Sequence, residues 1–307
     1  MKYLVTGGCG FIGSHLCDAL VDAGHQVRVL DDLSTGVQDN LSSGVEFLLG
    51  SVIDRELVKT AMKGVDGCFH LAAVASVTCS INDWVGTHCN NQQGTVNLLD
   101  AARRNGETPT IPVVYASSAA VYGDNAAVPL NESSIPRPIS AYGADKLGSE
   151  HHARVAWLAH GVSTVCMRFF NVYGPRQNPK SPYSGVISIF IDRLLKGQPL
   201  SIHGDGKQTR DFIYVADVVR FLIAAMHNQK GEASVYNVCT GQPTSILQLA
   251  KTLSILSGCD PQLNKMTCRQ GDIVESLGEP QRANRRYGFA AEVTLGDGLK
   301  FMLEDMA

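Results

Sequence analysis

No two cysteines in this chain form a Cys-x-x-Cys pair, and their number, nine, is odd. Scattered thiols of that kind build neither a disulfide framework nor a zinc knuckle; they read as small buried hydrophobes in a reducing compartment. Basic charge is not in excess either. Lys and Arg number 26 against 29 Asp and Glu, a net charge of -3, which gives no support to a nucleic-acid or anionic-membrane partner. No apolar run is long enough to span a bilayer, and no basic segment at the N-terminus leads into an uninterrupted apolar stretch. Neither a membrane association nor a secretory signal is therefore expected, and the expected location is cytoplasmic. What remains is a chain of 307 residues, 44% hydrophobic, enough for one large or two coupled domains with a substantial core.

The most informative stretch is Tyr3–Gly13, YLVTGGCGFIG. Tyr3, Leu4 and Val5 read as a short buried strand, Thr6 to Gly10 as a sharp turn, and Phe11 and Ile12 as the start of a helix. Glycines at 7, 10 and 13 suit a turn closed to side chains, close approach of a pyrophosphate, and tight packing of helix on strand. The helix start offers free N–H groups and a positive dipole end to phosphates. A second strand follows and ends in Asp31, a carboxylate placed to accept the hydroxyls of an adenosine ribose. The loop after it, Asp32, Leu33, Ser34, Thr35 and Gly36, holds no Arg or Lys for a 2′-phosphate, so NAD is expected over NADP.

Strands expected at 3–5, 26–30, 45–49, 67–71, 111–116 and 162–168 alternate with helices at 11–23, 54–63, 83–105 and 141–160. That alternation argues for an α/β fold, a doubly wound parallel sheet of Rossmann type with its ligands at the carboxyl ends of the strands. The candidates lie there. Ser51 and Val52 are placed to flank an adenine, and Leu71, Ala72 and Ala73 after His70 would let a cofactor lie close to the backbone. His70 reads as a packed core histidine. Asn91 faces inward on its helix, and a buried amide must find partners, so it is expected to brace the site.

The strand at 111–116 runs into Ser117 and Ser118, two hydroxyls placed to touch a ligand. Ser140 is an expected N-cap for the helix that carries Tyr142 and Lys146. Their spacing of four puts phenol and ammonium on one helix face, one turn apart. A free tyrosine titrates near ~10, but a neighbouring ammonium and a positively charged nicotinamide would both favour the phenolate. Such a base could take a proton from a sugar hydroxyl as its carbon loses hydride.

At this point the chain resembles the extended short-chain dehydrogenase/reductases and, within them, the UDP-hexose 4-epimerases. The likeness runs through TGGCGFIGSH, DDLSTG, HLAA, SSAAVYG, YGADK, RFFNVYGPRQNP, GDGKQTRDFIYVADV and RQGD. It implies a catalytic trio of Ser118, Tyr142 and Lys146, with Phe169 also at the cofactor. It implies a nucleotide-sugar pocket with Ser76, Asn171, the Gly185–Val186 helix start, Arg210 and Arg269 as diphosphate clamps, and Asp272 as a ribose acceptor. It further implies a NAD-binding domain over 1–170 with a return segment at about 208–239, a smaller C-terminal substrate-binding domain over 171–207 and 240–307, and a homodimer.

The motif departs from the family where Gly50-Ser51-Val52 stands in place of the usual Gly-Asp-Ile. Ala119 and Ala120 occupy the positions where sugar-nucleotide 4,6-dehydratases carry Asp-Glu, and methyl groups exchange no protons, which disfavours dehydration. Ser276 matches the position that is bulky in epimerases restricted to plain hexoses and small in those accepting N-acetylhexosamines. The resemblance thus implies 4-epimerisation of UDP-GlcNAc and UDP-GalNAc, with UDP-Glc and UDP-Gal also candidates. Epimerisation of UDP-glucuronate or an ADP-heptose, and a non-catalytic NAD-binding protein on the same fold, are the alternatives.

Overall fold

The structure is a computed structural model and describes residues 1–103, 109–179, 181, 185–229, 231–267 and 273–306. Its elements begin β1 (Lys2–Thr6), α1 (Phe11–Asp22), β2 (Gln26–Asp31), β3 (Glu46–Leu49), α2 (Arg55–Ala61), β4 (Gly67–His70), α3 (Val77–Asn82), α4 (Trp84–His88) and α5 (Gly94–Ala101). Next come β5 (Val113–Ser118), α6 (Ala141–His160), β6 (Thr164–Phe169), β7 (Asn171–Tyr173), α7 (Val186–Leu195), β8 (Leu200–His203), β9 (Thr209–Tyr214) and α8 (Val215–His227). The chain closes with β10 (Ala233–Val238), β11 (Pro243–Ser245), α9 (Ile246–Ser257), β12 (Leu263–Met266), α10 (Gln281–Tyr287) and α11 (Leu295–Met306).

A seven-stranded sheet has the order β10-β6-β5-β4-β1-β2-β3. Strands β3, β2, β1, β4 and β5 pair in parallel, with Thr6 level with both Leu30 and His70. From β1 the chain winds one way to β2 and β3 and the other way to β4 and β5. The point of reversal lies between β1 and β4, and a doubly wound sheet opens its ligand crevice beyond the strand ends there. Leu4, Leu30, Val58, Cys68, Leu98, Val113, Tyr115 and Cys166 are buried together in the core behind it.

Two compact units divide the chain. Met1–Gly123, Pro136–Arg168 and Val219–Tyr236 form the first; Asp124–Ile135, Phe169–Val218 and Asn237–Ala307 form the second. Residues 124–135 and 208–218, expected in the dinucleotide-binding domain, thus belong to the second unit. In that unit β9 lies between β11 and β7, and β12 pairs with β8. The buried Asp211 accepts from the backbone N–H and the hydroxyl of Thr240 and from Gly241 N, which ties β9 to the turn before β11.

Helix α6 forms over the expected span. Ser140 caps it by accepting from Gly143 N at 3.1 Å, and Gly161 ends it in the left-handed conformation at φ 70. The expected helix 83–105 forms over 84–101, with an unexpected π-turn inside it. Asp83 ends α3 and caps α4 by accepting from Gly86 N, and Cys89–Gln93 is a π-turn before α5. Among the described residues, no helix is long and apolar enough to cross a membrane.

Candidate active site

Gly7 adopts φ +72, and a Cβ there would come within 2.7 Å of Ala72 N, so the turn after β1 rests on the backbone of Leu71 and Ala72 beyond β4. A Cβ on Gly13 would stand 2.1 Å from the Gly7 carbonyl oxygen, which is why α1 can pack on the turn only without one. Gly10 differs. A Cβ there would meet only Gly7 O, at 3.3 Å, so the backbone lies open over the start of α1. No side chain caps that helix, and the N–H groups of Phe11 and Ile12 stand at its positive end. An open backbone, an uncapped helix start and a carboxylate at the end of β2 are what a dinucleotide diphosphate and ribose require, and these residues fit the group.

Asp31 is buried, and each oxygen accepts one backbone N–H, from Cys9 at 2.9 Å and from Leu33 at 2.8 Å. Burial pushes its carboxyl up, and those two N–H groups oppose the rise. One lone-pair direction on each oxygen is left for ribose hydroxyls. The following loop lies on the glycine turn: Val37 N donates to Cys9 O, and a Cβ on Gly36 would stand 2.5 Å from Cys9 C. Asp32 accepts from Ser34 N at 3.0 Å, a short Asx turn that shapes the loop around Thr35. Beyond β3, the Ser51 hydroxyl accepts from Ile53 N, and the Val52 side chain is packed into the core against Gly94. The Val52 carbonyl accepts from Asn97 Nδ2 at 3.1 Å.

Ser118, Tyr142 and Lys146 come together at the carboxyl end of β5. The Ser118 hydroxyl is hydrogen-bonded to Tyr142 and also accepts from Ala120 N at 3.1 Å. Lys146 Nζ lies 5.9 Å from the Tyr142 ring centre and donates to Ala116 O at 2.9 Å. Gly143 makes this approach fit, since a Cβ there would stand 2.6 Å from Ala120 O. Burial pulls the Lys146 ammonium down to about 8, with the carboxylates of Asp145 and Glu150 working against it.

Burial pushes the Tyr142 phenol above its ordinary value, and the bond from Ser118 pulls it back only in part. Without a dinucleotide, Tyr142 is thus protonated at neutral pH.

Around the trio the polar groups are paired. His70 is held between Thr6 Oγ1 at 2.7 Å and Thr95 Oγ1 at 3.1 Å, and burial followed by the charge of Lys146 pulls it down to about 3. It is a neutral core histidine. The Asn91 amide accepts from Val74 N and donates to Val74 O, so it braces the segment after Ala73. The hydroxyl of Ser117, expected at the cofactor, donates to Glu150 Oε1 at 2.6 Å inside the protein. Ser76 is buried and caps α3, accepting from Cys79 N.

In the second unit, Phe169 ends β6 and is buried, and Asn171 opens β7. Gly185 is the N-cap of α7 and has no side chain to cap it, so among the described residues no N-cap side chain claims the N–H groups at the Val186 start. Arg210 Nη1 donates to the carbonyls of Thr209 and Ile273, both at 2.8 Å, which fixes the guanidinium beside the chain leading to Ser276. Ser276 is buried, with its N–H on Thr209 O. Arg269 and Asp272 lie outside the described residues. Glu150 and Arg168 had no site role in the sequence reading. The spacing 142, 146, 150 on one helix face was the signal that marks Glu150.

Residues 3–239 match the NAD dependent epimerase/dehydratase family. The chain belongs to that family. Its cofactor is accordingly NAD, the group the glycine turn and Asp31 fit. A UDP-glucose 4-epimerase of Mycolicibacterium smegmatis is 35% identical over 311 residues, covering 99% of this chain and 98% of its own length. Among solved structures, a UDP-glucose 4-epimerase of Thermotoga maritima with UDP-glucose superposes with a TM-score of 0.95 at 36% identity, covering 100% of this chain and 98% of that one. A UDP-N-acetylglucosamine 4-epimerase of Methanobrevibacter ruminantium, in complex with UDP-N-acetylmuramic acid, gives 0.93 at 33% identity and covers 99% and 97%. The family also includes dehydratases by name, but Ala119 and Ala120 beside Ser118 offer this member no second acid–base pair.

Proposed function

We propose that the protein is a 4-epimerase of UDP-sugars that interconverts UDP-GlcNAc and UDP-GalNAc, and also takes UDP-Glc and UDP-Gal, through a 4-keto sugar. The observation that carries this reading is the hydrogen-bonded Ser118–Tyr142 pair above Lys146, with methyl groups at the next two positions. NAD supplies the hydride acceptor and donor for C4 when bound. Tyr142 takes the proton of the 4-hydroxyl and later returns it to the same oxygen, after the keto sugar has turned its other face. Ser118, itself oriented by Ala120 N, hydrogen-bonds the same sugar oxygen. Lys146 supplies positive charge behind the phenol, and together with the charge of oxidised nicotinamide this lowers the cost of the phenolate. The sugar turns while its UDP stays anchored, a role that the resemblance assigns to Asn171, Arg210, Arg269 and Asp272.

The small, buried Ser276 supports the N-acetylhexosamine reading, because a clash excludes large groups readily whereas a roomy pocket rejects small ones poorly. Incubating the purified protein separately with UDP-GlcNAc and UDP-Glc, before and after Ser276→Tyr, tests it. Wild type should convert both, and the variant should lose UDP-GlcNAc turnover while keeping UDP-Glc. Conversion of neither by wild type, or no change in the ratio, overturns the reading.

The homodimer is part of the same proposal. Ile81, Trp84 and Val85 on α3 and α4, and Val155 and Leu158 on α6, are exposed large apolar side chains on neighbouring helices of the first unit. A second copy would cover them. Light scattering at micromolar concentration should give twice the chain mass; a monomer contradicts it.

A further inference from the structure

A buried ion pair stands behind the trio. Arg168 Nε donates to Glu150 Oε1 at 3.0 Å and Nη2 to Oε2 at 2.6 Å, with the two residues 4% and 8% exposed. Such a pair adds little net stability, because desolvation cancels most of its attraction, so what it holds matters more. Arg168 Nη1 donates to the Tyr122 hydroxyl at 2.9 Å, and Ser117 donates to Glu150 Oε1 at 2.6 Å. Ser117 and Tyr122 bound the turn that carries Ser118. Glu150 also follows Tyr142 and Lys146 at intervals of four on α6, so one helix face is fastened to the end of β5 at adjacent points: Tyr142 to Ser118, Lys146 to Ala116 O, and Glu150 to Ser117.

We propose that Glu150 and Arg168 form a positioning unit, clamping the Ser117–Tyr122 turn at both ends so that Ser118 meets Tyr142. The role rests on the proposed function in taking Tyr142 as the base. The charged and titratable groups around Lys146 are Tyr142, Asp145 and Glu150 on its own helix, His70 on β4, and Cys166 and Arg168 on β6. His70 is neutral, burial pushes the Cys166 thiol well up, and the Arg168 charge is matched by Glu150. Loosening the turn weakens the Ser118 bond that pulls the Tyr142 phenol down, which leaves the phenol less favoured as phenolate.

The test uses the NAD-bound protein and two variants, Glu150→Gln and the double variant Ser117→Ala/Tyr122→Phe. Turnover of UDP-glucose is one readout. The other is the pH at which Tyr142 ionises, read from tyrosinate absorbance as the difference from Tyr142→Phe in each background, and it needs no sugar. In Glu150→Gln, kcat should fall roughly tenfold or more with KM changed less than about twofold, and Tyr142 should ionise at higher pH. In the double variant kcat should fall likewise, and Tyr142 should again ionise at higher pH. Wild-type kcat in either variant, or unmoved ionisation in Glu150→Gln, overturns the proposal. If Glu150→Gln fails to fold, the double variant, which keeps the ion pair, decides alone. A wild type that turns over no nucleotide sugar sinks the function reading, whereas the ionisation shift still reports on Glu150.

Discussion

Lys146 donates to the carbonyl oxygen of Ala116 at 2.9 Å, tying the middle of α6 to β5 through a buried ammonium. That charge is costly to the fold. A lysine pulled from its ordinary value down to about 8 corresponds to on the order of 3 kcal/mol of destabilisation below that pH. Between about 8 and the ordinary lysine range the unfolded chain binds the extra proton, so stability rises with pH across that window. Lys146→Met is expected to raise the unfolding free energy from urea titration at neutral pH by about 1–3 kcal/mol after allowing for the lost hydrogen bond, while removing most turnover. The gain should shrink above the lysine's folded value. Unfolding curves at neutral and alkaline pH check both parts; a destabilised variant contradicts them.

His70 gives an acid-side prediction. Its folded value of about 3 lies below that of an unfolded histidine, so the unfolded chain binds the proton first as pH falls. Stability should therefore be lost progressively from about pH 6.5 downwards, by on the order of 4 kcal/mol in total from this group. His70→Gln should flatten that part of the stability-versus-pH curve even though it starts lower, having loosened Thr6 and Thr95. Parallel curves for the two proteins would show that the acid sensitivity comes from elsewhere.

Two glycines of one turn should fail differently. Gly13→Ala forces a Cβ onto the Gly7 carbonyl and should lower stability with or without NAD. Gly10→Ala meets only the Gly7 carbonyl at 3.3 Å in an extended backbone that alanine adopts, so the protein should fold as wild type. What it should lose is the rise in Tm that added NAD gives through linkage. Thermal scans at several NAD concentrations separate the two, and a normal NAD response in Gly10→Ala would contradict the placement of the diphosphate over that residue.

The sequence shows some of this clearly and some of it not at all. Helix α6 is legible end to end because Ser140 caps it, Gly161 stops it, and the residues between favour a helix. The strands fall within a residue or two of expectation; β5 starts later than expected, following Pro112, which has no N–H to give. The π-turn inside 83–105 is not legible, because apolar spacing continues through it and does not reveal the added residue that lets Asn91 reach Val74. The partner of the Ser117 hydroxyl is not legible for a related reason. At a strand's carboxyl end, alternation says that one serine faces the crevice but not which, and the answer depends on Glu150, distant in sequence. The phenol of Tyr142 illustrates a third limit: helix spacing brings Lys146 near, while the sign of the shift is set by how deeply the group is buried.

The central claim is redox chemistry at a single sugar carbon, and an isotope reads it directly. UDP-glucose carrying deuterium at C4 is incubated with the NAD-loaded protein in ordinary water, and the product is analysed by mass spectrometry and NMR. The account predicts UDP-galactose with the deuterium still on C4, since the hydrogen leaves and returns without meeting solvent. UDP-galactose carrying solvent hydrogen at that carbon, or no UDP-galactose at all, would contradict it.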